Sequence, residues 1–128
     1  MATMKITIEF IDHTKQRYPT AGDWQFAPNG DLKIRISETG DKRFNLCVAV
    51  HELVEAIVCD MDGVNQSTVD KFDMDYEDKR EDGDETEPGD SPKAPYFKQH
   101  FLATTLERQL AIALDVDWIE YEKTLLAL

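Results

Sequence analysis

Residues Phe44 to Asp62, FNLCVAVHELVEAIVCDMD, constrain this chain more than any other stretch: they are apolar enough for a buried helix yet carry His51, Glu52 and Glu55 in their middle. At about 100° per residue, Cys47, His51, Glu55 and Cys59 drift only ~40° per step and form one stripe, with Glu52 beside it. Leu46, Val50, Leu53, Val54, Ile57 and Val58 fall elsewhere on the wheel. Burying a lone carboxylate or imidazolium costs several kcal/mol unless the group is paired, shifted in protonation or bound to a metal. The rest of the chain must therefore supply partners for this stripe.

Size and charge bound what those partners can be. With 128 residues, 41% of them hydrophobic, and only five prolines and six glycines, one compact domain spanning 1–128 is expected. A net charge of -12, with 14 basic against 26 acidic residues, argues against a direct nucleic-acid partner. No apolar run approaches the roughly 20 residues of a membrane span, and MATMKITIEF lacks the basic, apolar and small-residue order of a secretion signal, so a cytoplasmic protein with no membrane partner is expected. Cys47 and Cys59 would lie about 18 Å apart along one helix, too far for a disulfide. They read as buried small hydrophobes in preference to metal thiolates.

Taken in order, the chain predicts an α+β fold. Met4, Ile6, Ile8 and Phe10 alternate with Lys5, Thr7 and Glu9, the period of a strand with one buried face. Asp23 to Ala27 and Leu32 to Ser37 flank Pro28-Asn29-Gly30 as a hairpin, so residues 4–37 predict a small antiparallel sheet of about three strands. The central helix, 42–62, starts from an Asp41 cap, stops at Gly63 and covers that sheet. A short helix over 67–78, capped by Ser67, carries Val69, Phe72 and Tyr76. Residues 79–94, KREDGDETEPGDSPKA, hold no large apolar side chain and predict an acidic loop, its first half disordered or a lid, its second half turn-constrained with Asp90 as a secondary site candidate. A long helix over 95–114 turns His100 and Glu107 inward, within ~20° of each other on the wheel. A terminal helix over 117–127 offers Trp118, Leu125 and Leu126 for packing.

The residues His51-Glu52-Leu53-Val54-Glu55 resemble the His-Glu-x-x-His helix of the zincin metallopeptidases, in which the first and last positions hold zinc and the Glu works on the metal-bound water. Glu55 stands at the last position here, and His100 restores the ligand count. The likeness implies a minimal zincin-like layout with zinc, or another divalent transition metal, on His51, Glu55 and His100. Glu52 would be the base, and Glu107 would orient His100 or serve as a fourth ligand. The substrate is open, a peptide among the candidates. HELVEA together with EPGDSPKAPYFKQH also resembles small phage or prophage proteins, which implies a bacterial host cytoplasm and no particular activity.

Other classes fit parts of the pattern. Facing His and Glu groups can pair into a metal-free buried network. Two imidazoles and a carboxylate also suit non-haem iron, whose usual host is a double-sheet barrel. Glu52-x-x-Glu55, with Asp70 and Asp73 downstream, resembles the magnesium site of the all-helical nucleotide pyrophosphatases. No acidic segment has the residue order of a calcium loop. The acidic loop Glu77 to Asp90, with Asp82, Asp84, Glu85 and Glu87, could instead serve a non-enzymatic inhibitor that binds a basic protein partner.

Overall fold

A computed structural model describes residues 3–128. Met1 and Ala2, part of the stretch inspected for a secretion signal, lie outside the described residues. Among the described residues three strands, β1 (Ile6–Ile11), β2 (Gly22–Phe26) and β3 (Leu32–Ser37), precede four helices, α1 (Lys42–Met61), α2 (Gln66–Asp78), α3 (Phe97–Ala113) and α4 (Trp118–Leu126). The protein is α+β, as its patterning predicts.

The sheet is mixed rather than wholly antiparallel, in the order β1-β3-β2. β2 and β3 form the expected hairpin, with Phe26 opposite Leu32 and Gly30 at φ +92° in the turn. β1 instead runs parallel to β3. The cause lies in the β1–β2 link, which is too long for a tight hairpin and contains the turn His13–Lys15 and Pro19. It is pinned where His13 Nδ1 meets Ser37 Oγ at 2.9 Å and Gln16 Nε2 donates to Arg35 O at 3.2 Å, so β2 is delivered to the far edge of β3. Parallel neighbours always need such a crossover.

β3 is thus the central strand, and Leu32, Ile34 and Ile36 are buried against α1 with Trp24, Phe44 and Val48. α1 lies over β2 and β3 and leaves β1 largely uncovered. The apolar face of β1, read from the sequence as buried, is exposed: Ile6, Ile8 and Phe10 keep 45%, 38% and 45% of their surface. α1 packs more extensively on α3 than on the sheet, and this helix pair carries the polar stripe.

Helix ends follow their caps closely. The Asp41 side chain accepts from Arg43 N at 2.8 Å, and Gly63 adopts φ +72° after α1. α2 begins one residue early because Asn65, not Ser67, caps it, accepting from Ser67 N at 2.8 Å. α4 is capped by Asp117. Among the described residues no helix is long and apolar enough to cross a membrane.

Candidate metal centre

The α1 stripe is buried as the helical wheel requires: Cys47, His51, Glu55 and Cys59 all face inward. On α3, Tyr96, His100, Ala103, Glu107 and Ala111 form the matching buried row, while Lys98, Thr105, Arg108 and Gln109 are exposed. The two rows meet around Glu55. Its Oε2 accepts from His51 Nε2 at 3.2 Å and from His100 Nδ1 at 2.9 Å, and its Oε1 accepts from Trp24 Nε1 at 3.1 Å. One ligand-capable atom from each of His51, Glu55 and His100 lies within 4.8 Å of the other two. A tetrahedral ion with bonds of about 2.0–2.1 Å holds its donors roughly 3.3 Å apart, so Glu55 Oε2, at 3.2 Å from His51 Nε2 and 2.9 Å from His100 Nδ1, would move slightly away from both nitrogens to seat one.

The far ring nitrogens are held as well. Glu107 Oε1 lies 2.8 Å from His51 Nδ1, and Glu107 Oε2 accepts from Tyr121 OH at 2.5 Å. Glu107 therefore orients His51, not His100 as its place on the wheel suggests, because α1 and α3 bring its carboxyl beneath the other imidazole. His100 Nε2 instead meets Asp90 Oδ1 and Glu87 Oε2, each at 3.1 Å. Glu87 precedes the turn Pro88–Asp90 and Asp90 ends it, and Gly89 in that turn is buried against His100 so closely that a Cβ would overlap the ring. Glu87, Asp90 and His100 Nε2 form a second, more exposed cluster with ligand spacing.

Protonation follows from these contacts. Burial opposes charge on both histidines, but the hydrogen bonds their rings donate to carboxylates outweigh it, raising His51 well above its usual value and His100 to about 10. Burial would likewise raise Glu55, yet hydrogen bonds from His100 and His51 hold it down at about 2. Among the described residues nothing donates such a bond to Glu52. Burial and the charge of Glu55 push its carboxyl well above the ordinary range. That side chain packs on Gly22, where a Cβ would sit 2.6 Å from Glu52 Cγ.

A cleft of about 290 Å³ leads to His51, Glu52, Glu55 and His100, with Asp23, Trp24, Asp73, Gly89 and Tyr96 among its walls. Asp73 accepts from Tyr96 OH and, at 3.2 Å, from Tyr18 OH, and burial followed by repulsion from Glu55 raises its carboxyl to about 7. Asp70 is bound to the Arg17 guanidinium, which also clasps Asp23 at 2.7 Å and 2.8 Å. The thiols take no part in the cluster: burial raises Cys47 to about 11 and Cys59 to about 12, and both are free cysteines in the core.

Sequence reasoning finds His51, Glu52, Glu55, His100, Glu107 and Asp90 but misses Trp24, Tyr121, Glu87, Gly22 and Gly89. Trp24 alone leaves a trace, since a buried indole needs an acceptor for its N–H. Nor is the acidic loop loose. Arg80 binds Glu77 at 2.8 Å, Asp84 O at 2.5 Å and Thr86 O at 2.8 Å, tying the first half of the loop to α2.

No protein-family model matches the chain, nor does any curated protein or solved structure. The functional reading therefore rests on the chemistry of these side chains.

Proposed function

We propose that the protein binds a divalent transition metal, zinc foremost, on His51 Nε2, Glu55 Oε2 and His100 Nδ1, and works as a zincin-like hydrolase on an amide or ester carbonyl. One observation carries the metal reading: three buried donors converge, and the far nitrogen of each imidazole is already held by a carboxylate. Such carboxylate–histidine pairs fix the ring and raise its basicity toward a metal. Charge agrees. A carboxylate only accepts, so an imidazole with carboxylates at both nitrogens is a cation. Exchanging the Nε2 proton of His51 and the Nδ1 proton of His100 for one dication leaves the buried charge unchanged.

The ion would supply Lewis-acid polarisation of a water and of the substrate carbonyl. The chain's own groups do the rest. Glu107 and Tyr121 hold His51, Asp90 and Glu87 hold His100, and Trp24 holds Glu55. Glu52, without a hydrogen-bond partner among the described residues, would take the water's proton from the cleft wall once the charge of a bound dication lowered its carboxyl back into the ionised range. The same reading has the protein at work in a cytoplasm, that of a bacterial host by its likeness to phage proteins, and two free buried thiols suit a reducing compartment.

A specific observation favours a rival reading. Every ring nitrogen of His51 and His100 already has a carboxylate partner, so the cluster is also complete as a metal-free ion-pair network in a non-enzymatic acidic protein with a basic partner. Elemental mass spectrometry on tag-free protein separates the two. Near-stoichiometric zinc, lost in both His51→Ala and His100→Ala, supports the metal centre. Metal-free protein that takes up no zinc at neutral pH sinks it. Glu52→Gln should keep the ion and lose turnover in a screen of ester and peptide substrates.

A further inference from the structure

We infer that the protein pairs with a second copy of itself through the open edge of β1, forming an antiparallel β1–β1 junction with its two-fold axis at Thr7. β1 is an edge strand. Its odd-numbered residues address β3, for Lys5 O accepts from Leu32 N at 2.9 Å and Ile11 O accepts from Glu38 N at 2.7 Å. By the alternation of a parallel ladder, Ile6, Ile8 and Phe10 turn their N–H and C=O groups toward the open side. The same residues carry the exposed apolar face. Natural edges are protected by proline, a bulge or an inward-pointing charge, and β1 has none of these on that face.

The strand is complementary to itself in one register. Pairing about Thr7 sets Lys5 against Glu9 of the second copy, twice over, with Ile6 against Ile8 and Met4 against Phe10. The outward groups of Ile6 and Ile8 then form the hydrogen-bonded pairs. Lys5–Glu9 and Thr7–Thr7 become the closer, non-hydrogen-bonded pairs, where opposite charges across strands are stabilising. Sliding two residues either way sets Lys5 against Thr7 or Ile11 and loses the charge match. A slip of one sets the two apolar faces on opposite sides of the joined sheet. Glu9 already faces Lys33 at 3.8 Å, but that pair is largely exposed and does not hold Glu9 from a second lysine. The cleft lies beside β2, at the opposite edge of the sheet, so both clefts of the pair stay open.

Light scattering and sedimentation on the full chain test this. A dimer is expected, weakened roughly tenfold by Lys5→Glu and restored when Glu9→Lys is added. Thr7→Cys gives the sharper register test. Residues opposite each other in a non-hydrogen-bonded pair have Cα atoms about 4.5 Å apart, within disulfide reach, so mild oxidation should yield a covalent dimer of Thr7→Cys but not of Glu9→Cys. Cys47 and Cys59 are buried and do not compete. Metal content and circular dichroism should match the parent in all variants. A chain that stays monomeric across the accessible concentration range overturns the inference. So does a dimer indifferent to Lys5→Glu and not cross-linked through Thr7→Cys.

Discussion

Two glycines bear directly on the candidate site, and they separate its functions. A methyl group at Gly89 collides with the His100 ring, so Gly89→Ala should displace that imidazole and weaken zinc binding 10- to 100-fold, the usual effect of disturbing a ligand's support. Gly22→Ala instead pushes on Glu52, which holds no metal in the proposed centre. Its zinc affinity, read by competition with a chromogenic chelator, should stay within a few-fold of the parent while any hydrolytic turnover falls. Equal losses of zinc in both variants would contradict the division of labour between His100 and Glu52. Proton release offers a second check. Both rings start as imidazolium, so calorimetry in buffers of different ionisation enthalpy should count two protons per ion, with apparent affinity rising roughly hundredfold per pH unit near neutrality. The convergence of His51, Glu55 and His100 was legible in the sequence because they sit on helices, where spacing alone fixes the face. Trp24, Tyr121 and the glycines were not, because a strand, a terminal helix and a turn reach the cluster only through tertiary packing.

At the scale of elements, the helices were readable to within a residue or two: Asp41 and Gly63 mark the ends of α1 as read, while α2 starts one residue early because Asn65 and not Ser67 caps it. The direction of β1 was not readable, because alternation fixes which residues share a face and says nothing about the neighbour. The acidic loop was misjudged for a related reason: its anchor, Arg80, reaches back to Glu77 and forward to Asp84 and Thr86, contacts that composition cannot show. Arg80→Ala should release the loop as a unit. Amide exchange over residues 81–86 should speed up markedly, with a loss of global stability of only about 1 kcal/mol for partly exposed pairs. The turn Pro88–Asp90 is held separately, through Gly89 and His100, and should keep its protection. Loss of protection at both would mean that the loop and the turn open together.

For the whole molecule, the buried charges set how stability depends on pH when no metal is bound. Glu55 falls from 4.5 to about 2 on folding, so its contribution is complete above pH 4.5 and is lost as pH drops toward 2. His100 rises from 6.5 to about 10, so its contribution is complete below pH 6.5 and disappears as pH climbs through 10, and His51 acts in the same direction. Asp73 rises from 3.8 to about 7, a carboxyl that the fold prefers protonated, and it removes stability progressively across that interval. Together these groups place the maximum between about pH 4.5 and 6.5, tilted to its acid side, an unusually low optimum for a protein whose site is proposed to work near neutrality. Zinc should reverse the alkaline arm. In the proposed centre it would bind the deprotonated imidazoles of the folded chain, so its stabilisation would grow with pH where that of the imidazolium ions fades. Melting temperatures followed from pH 4 to pH 9, in chelator and in excess zinc, should therefore coincide at the acid end and diverge above pH 6.5. Coincident curves throughout would remove the metal from the centre. A chelated protein with no alkaline decline would mean that His51 and His100 are not held as cations between Glu55, Glu87 and Glu107.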